Sequence, residues 1–476
     1  MAKFNQTATI KTTNKEGHAA YGMRDKEKLV TQVLTSFFNE AKFYGDNSKE
    51  IQETVRRVID ADPAFVSKLA VFARREFNMR SVAHVLTAEL AHAEKGKPFV
   101  RNTVKGVSLR GDDVTEIMAC YLSTFGKPVP ASLKKGISDV LLTFDEYTLA
   151  KYKGEKDAVK MRDLFRICRP TPKNAEQSAL WKRCLDGTLA VPETWETELS
   201  ANGNTKESWE KLIGGGKLGY MALLRNLRNI VQANPGNLQD ALRRISDPAA
   251  VKKSRQLPFR FLSAYRSVSD LPNAGSSVLD ALEDAADAAV SNLPKIPGKT
   301  AIAIDVSSSM SNRVSANSDI RCCDISTLLG LIAARICEDA IVYKFNTVIR
   351  KETVSHRTAI LQVTANATCS GGTDMRLPFM QMLRDNIKAD RIIILSDNQC
   401  NCGYGFSVQQ LATVYRRETG NDLWVHAVDL QGYGTQQFSG PRTNIIAGWS
   451  EKVFDFILLA EQGEGSLEKR IAAYEW

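Results

Sequence analysis

The chain contains no run of 18 apolar residues, so nothing in it reads as a membrane-spanning helix. Its first stretch, MAKFNQTATIKTTNKEG, is polar and holds no apolar core of a secretory signal. Cysteine is sparse: nine residues, an odd number, scattered mostly through apolar helical or strand patterns. That usage fits a reducing compartment better than a disulfide framework, and the expected location is cytoplasmic. Cys400 and Cys402 form a Cys-x-Cys with Cys369 nearby, but no second matching pair completes a zinc site. The stretch IGGGKLG, residues 213–219, lacks the spacing of a phosphate loop and follows no strand. There is no Gly-x-Ser-x-Gly elbow. Histidine is rare, with five residues, and His426 lies in an apolar strand run that places it in a core.

What is present is size and unevenly placed charge. A chain of 476 residues with 43% hydrophobic content can bury two or three domain cores. Residues 1–300 carry 46 Lys and Arg against 35 Asp and Glu, a net of +11. Residues 301–476 carry 17 against 19, a net of −2. The positive excess therefore belongs wholly to the first part, which points to a polyanion such as nucleic acid.

Hydrophobic spacing divides the chain in the same way. After a polar arm, residues 1–19, the span 20–295 reads as helix after helix. DKEKLVTQVLTSFFNEAKFY, ETVRRVIDADPAFVSKLAVFARREF, SVAHVLTAELAHAEK, VTEIMACYLSTF and SLKKGISDVLLTF all carry apolar residues at three-four spacing. Many helices with short connections imply stacked pairs, an α-solenoid, although no strict sequence repeat is visible. SNLPKIPGKT, residues 291–300, reads as a linker. In 296–476, strand-like runs alternate with helical ones: TAIAIDV, DAIVYKF, RIIILSD, DLWVHAVDL and VFDFILL are the expected strands. Alternation of this kind implies a doubly wound parallel sheet, an α/β fold with ligands at the carboxyl ends of its strands.

Asp305 and Asp397 both stand at such ends. DVSSSMS places Asp305, Ser307 and Ser309 in one loop, SGGTDMR offers Thr373, and IIILSDNQ offers Asp397. Carboxylates and hydroxyls without His or Cys suit a hard divalent cation, Mg²⁺ foremost. Singly, each piece is what a helix cap or a turn also looks like. Together and in this order they resemble the metal-ion-dependent adhesion site of von Willebrand factor A domains. That resemblance implies a Mg²⁺ site with a coordination position open to an acidic group of a protein ligand.

The helical part carries a second resemblance. LGYMALLRNLRNI (218–230), KMRDLFRICRPTP (160–172) and LPFRFLSAY (257–265) are similar to three segments of TROVE proteins, the Ro ribonucleoprotein autoantigens and their bacterial relatives. The order of helical part, linker and A domain also matches, over about residues 18–476. The resemblance implies a HEAT-like helical ring. It implies small noncoding Y RNAs bound outside the ring and single-stranded 3′ ends of misfolded RNAs entering its hole, with an exoribonuclease as partner and no chemistry in the chain itself.

Candidate RNA contacts follow from charge and spacing. Arg162 and Arg166, at i and i+4, share a helix face and fall on basic positions of the family, with Asp163 expected to face elsewhere. Arg169 falls near a family histidine, a departure that bears on Y RNA selectivity. Arg225 and Arg228 are expected at i and i+3 of one helix, with Lys182 and Arg183 as weaker candidates. Solvated helix faces and salt bridges account for such residues equally well. Two other functional classes stay open: a protein-binding adaptor built on the metal site, and a metal-dependent hydrolase, which lacks the paired ions or poised base of phosphodiester cleavage.

Overall fold

A computed structural model describes residues 10–15, 17–35, 48–154, 157–216, 218–256, 258–291, 293–313, 319–401, 406–448, 452–463 and 467–476. The chain forms two compact units. One joins Met1–Met23 to Glu193–Glu464, and the other joins Arg24–Pro192 to Gly465–Trp476. No helix among the described residues is long and apolar enough to cross a membrane.

In the first unit, strands β1 (Ile10–Thr13) and β2 (Ala19–Gly22) form a hairpin. A six-stranded sheet follows, from β3 (Ile296–Asp305), β4 (Cys337–Phe345), β5 (Ile349–Glu352), β6 (Arg391–Ser396), β7 (Trp424–Asp429) and β9 (Thr443–Ala447). Its order is β5-β4-β3-β6-β7-β9, parallel except for β5, which runs antiparallel on β4. A short β8 (Thr435–Gln436) adds to the hairpin instead. The central strands are apolar because both faces are covered. Helix Cys322–Ile336 packs on β3 and β4, so closely that a methyl group at Gly330 would lie 2.4 Å from Ile304 Cδ1. The other face holds Phe379, Met382, Tyr415 and Phe438.

Three expectations need correction here. VFDFILL is helix (Lys452–Glu461), with Val453, Phe454, Phe456, Ile457 and Ala460 buried at helical spacing. The linker 291–300 ends early, because β3 already starts at Ile296. The sheet is mixed, and its edge strand, IRKE, is too charged to stand out as a strand.

The second unit is helical. Helix Pro63–Glu76 packs on Ser81–His92 and on Lys97–Val107; Ser81–His92 packs on Asp113–Phe125, and Lys97–Val107 on Ala131–Leu141. Contact with the next helix and the next but one is the packing order of stacked helix pairs. The long pattern at 53–77 is two helices, since Asp62 caps the second through Phe65 N (3.0 Å) and Pro63 opens it. Asp113 organises the interior. It is fully buried and accepts from Arg80 Nε (2.6 Å), Arg74 Nη2 (3.1 Å) and the backbone N–H of Leu109 and Arg110 (2.8 Å each), with His84 Nε2 at 3.1 Å. Burial alone would raise its carboxyl, but His84 and the two arginines hold it well below the carboxylate range.

The sheet has a similar buried knot. Arg391 forks onto Glu461 (2.6 and 2.8 Å) and His426 Nε2 lies 3.0 Å from the same carboxylate, with Asn444 at His426 Nδ1 (3.1 Å). His426 is a fully buried core residue, as its strand pattern implied. Burial would raise Glu461, but His426 and Arg391 hold it at about 2. A depressed acid stabilises the fold above its unfolded pKa, and that contribution disappears as pH falls through the folded value. Glu461→Gln should therefore cost about 3 kcal/mol at neutral pH. In urea unfolding of wild type and variant, the gap should close between pH ~4.5 and ~2. A gap independent of pH would show that the Glu461 charge is not the source.

Candidate functional site

The register of the central strands brings the two expected acids together. Ile304 pairs with Leu395 in adjacent parallel strands, so Asp305 and Asp397 leave the sheet at the same end, Asp305 level with Ser396 and Asp397 one residue beyond. Ser396 Oγ donates to Asp305 Oδ2 (2.6 Å), and Ser307 N donates to Asp305 Oδ1 (2.9 Å). Gln399 N donates to Asp397 Oδ1 (3.2 Å). Both carboxylates are fully buried, Ser307 and Thr373 are buried, and Ser309 is half-buried with its Oγ 3.1 Å from Ser307 Oγ.

Three loops are laced into one surface. Ser308 N donates to Gly371 O and Ser370 N to Val306 O, each at 2.9 Å. Thr373 N donates to Asn401 Oδ1 (2.8 Å), and Asn401 N returns to Thr373 O (3.0 Å). Gly371 has φ +78, which a side chain would resist, and a methyl group at Gly372 would meet Asn401 Nδ2 at 2.9 Å. Asp305, Ser307, Ser309, Thr373 and Asp397 thus lie on joined loops.

Burial first, and the Asp397 charge second, push the Asp305 carboxyl up to about 7. Two desolvated acids and three hydroxyls form a donor set that fits a hard cation, whose charge would offset what the carboxylates lose by burial. Among the described residues, no group of three or more His, Cys, Asp and Glu side chains is placed to hold a metal ion.

The surroundings hold residues that the sequence did not mark. Asp429, at the end of β7, is fully buried and accepts from Gln431 N and Gly432 N (2.9 Å each). The N-terminal hairpin reaches the Asp397 loop. Asn14 Nδ2 donates to Cys400 O (2.7 Å), Lys15 N donates to Gln399 Oε1 (2.8 Å), and Lys15 Nζ sits 4.6 Å above the Tyr433 ring. Cys323 and Cys369 are joined as a disulfide with Cα atoms 6.6 Å apart, although cysteine usage fits a reducing compartment better than a disulfide framework; the Ser370–Thr373 loop lies against the start of helix Cys322–Ile336. Cys402 lies outside the described residues.

The cationic candidates fall in both units. Arg162 and Arg166 lie on helix Met161–Cys168 and Arg169 caps it with φ 49. Asp163 does not face away: its Oδ1 lies 3.8 Å from Arg166, and its Oδ2 accepts from Lys160 N (3.0 Å). Lys182 is exposed, and Arg183 is held by Glu146 at 2.6 Å, a bridge to a neighbouring helix. In the other unit, Arg225 and Arg228 sit on separate helices, Tyr220–Arg225 and Leu227–Ala233. Asn226 breaks the run, its side chain donating back to Ala222 O (2.8 Å). Arg260, not foreseen, is half-buried beside Arg225; burial and then that neighbouring charge lower its pKa.

Comparison with known proteins matches these segments. The TROVE domain model matches residues 25–189 and 187–278, and the Ro60 vWA domain model matches 299–457. The chain is 23% identical over 449 residues to the RNA-binding protein RO60 of Deinococcus radiodurans, covering 82% of this chain and 83% of that one. It is 25% identical over 338 residues to telomerase protein component 1 of Rattus norvegicus, covering 52% of this chain but 13% of that much longer protein. The fold resembles the crystal structure of the Deinococcus radiodurans Ro protein, with TM-score 0.64 and 19% identity, over 93% of this chain and 100% of the other.

The buried acid pair has a consequence for stability. Asp305→Asn removes one of two opposing charges while retaining its shape, so in EDTA the variant should be more stable than wild type by roughly 1–3 kcal/mol. Thermal melts in EDTA check this, and a less stable variant would show that the carboxylates are not in conflict.

Proposed function

We propose a function from one premise: the chain belongs to the TROVE family, and its A domain is of the Ro60 type. It is an RNA-binding ribonucleoprotein scaffold. What carries this reading is the match of both segments to that family, on a chain whose positive excess lies wholly in residues 1–300. Lys and Arg that neutralise phosphates bind RNA with little sequence preference. Unpaired ends and loops are then taken by shape and stacking.

The RNAs are of two kinds: small structured noncoding RNAs similar to Y RNAs, and single-stranded 3′ ends of misfolded or structured RNAs. Arg162, Arg166 and Arg169 form one contact group; Arg225, Arg228 and Arg260 form another. Lys182 contributes charge, and Arg183 does so only by leaving Glu146. The work is RNA quality control, maturation or decay, in which a partner exoribonuclease breaks the phosphodiester bonds. A single oxygen-lined cation site does not supply the paired-metal clamp of such cleavage, so the chain itself is not the enzyme.

The buried acid pair favours a second role for the A domain. Mg²⁺ would be held by Asp305, Ser307, Ser309, Thr373 and Asp397, and would offer a coordination position to an acidic side chain of a protein partner. EDTA would release such a partner.

Fluorescence anisotropy with a single-stranded RNA tail tests the main reading. Arg162→Glu with Arg166→Glu should weaken binding about tenfold at low salt and reduce the slope of log affinity against log salt by roughly 1.4, two contacts at ~0.7 each. Asp305→Asn should leave RNA affinity unchanged while removing the stabilisation by Mg²⁺ seen in thermal melts. Affinity indifferent to the charge reversal would remove the Arg162 group from the interface.

A further inference from the structure

In the unit formed by Arg24–Pro192 and Gly465–Trp476, helix Leu467–Ala472 packs against helix Pro63–Glu76. The residues after it lie across that helix and its neighbour, Lys97–Val107. Tyr474 sets its ring edge-on to Phe72 (5.2 Å, 89°) and donates from its hydroxyl to Glu76 Oε1 (3.0 Å). Trp476 stacks along Tyr474 at 6.3 Å and 21°. The indole rests on Gly106, where an added methyl group would lie 2.8 Å from Trp476 Nε1 and 2.5 Å from Val71. Glycine at 106 is what lets the ring sit down on the helix.

Beside this aromatic pair is a cleft of about 660 Å³ lined by Lys68, Arg75, Asn102 and Lys105. Lys68 Nζ donates to Ala472 O (2.5 Å) and Arg75 Nε to Gly106 O (3.0 Å). Backbone carbonyls hold these two cations in place. Lys105 is shared with Asp139 at 3.1 Å, and Glu475 is the acid on the rim. Basic side chains outnumber acidic ones in its lining by three to one, and Trp476, a large apolar side chain, is 43% exposed beside it.

An exposed indole and three cations in one cleft are the two halves of a nucleotide site. A base stacks on an aromatic face, and its phosphate is met by fixed positive charge. We propose that this cleft holds one nucleotide, its base stacked on Trp476 and its phosphate at Lys68, Arg75 and Lys105. Resting on the RNA-binding reading above, we take the nucleotide to be part of a single-stranded RNA; none of the arginines already named lines the cleft. Asn102 is placed to hydrogen-bond the base edge or the ribose. The volume is ample for one nucleotide and falls in the range of small-molecule sites.

The test uses the full chain, a uridine 12-mer and uridine monophosphate. The 12-mer, carrying 4-thiouridine, should crosslink on irradiation to the peptide containing Tyr474 and Trp476. Trp476→Ala should weaken its binding about five- to hundredfold, the range of one lost base stack, while Trp476→Phe retains most of it. Wild type that binds the 12-mer, with Trp476→Ala binding equally and crosslinks falling elsewhere, overturns this site and leaves RNA binding standing. Wild type that ignores the 12-mer but shows tryptophan quenching by uridine monophosphate, absent in Trp476→Ala, supports a site for free nucleotide and overturns the RNA reading. Silence with both probes overturns both.

Discussion

Two carboxylates that cannot both be comfortably ionised sit at the ends of neighbouring central strands. That conflict is the constraint around which the top of the A domain is arranged. Parallel register brings Asp305 and Asp397 out at the same end of the sheet, and the sheet leaves them no solvent. Hydrogen bonds from Ser307 and Ser396 reach Asp305, and one from Gln399 reaches Asp397. These soften the cost of burial without removing it, since Asp305 still lies at about 7. The three loops could relax away from this arrangement if they were independent. They are tied backbone to backbone and through Asn401, so the strain is retained. A site that keeps unfavourable charge in place is prepared for a ligand that relieves it.

The cationic part of the sequence follows another logic. Its arginines need no burial to act, because phosphates are met at the surface and their number matters more than their individual fit. Several candidates are therefore drawn into pairs that any solvated helix makes, as Arg166 is with Asp163 and Arg183 with Glu146. Exposed pairs of this type are worth about 1 kcal/mol or less, so a phosphate can displace them. Arg260 differs in being half-buried beside Arg225, where burial and that neighbouring charge lower its pKa.

The sequence was most legible where function or structure is written in consecutive residues. Asp305, Ser307 and Ser309 share one turn, and the apolar runs on either side of 305 and 397 declare buried strands. Where contact is made across hundreds of residues, no local pattern announces it. Asn14 and Lys15 meet the Asp397 loop across separations of 386 and 384 residues, and nothing in NK predicts this. Asp429 stands at a strand end as Asp305 does, but without the serines that drew attention to the other. VFDFILL was ambiguous because a short apolar run satisfies both periods, and its burial at helical spacing appears only once the sheet is complete. The break at Asn226 turns on one side-chain amide bonding back to a carbonyl, a choice that propensity does not settle.

Each unit is completed by a segment from the far end of the chain. The first 23 residues belong with 193–464, and the last twelve with 24–192. A cut at the Pro-rich linker would therefore not yield two intact halves. A fragment ending near residue 295 loses Leu467–Ala472 from beside helix 63–76, and with it the Tyr474 ring against Phe72. It also keeps β1 and β2 without β8, which pairs with β2. Loss of RNA binding by such a fragment would report on missing packing as much as on missing contacts. Point substitutions in the full chain are the sounder way to assign function to either segment, since they leave both long-range closures in place.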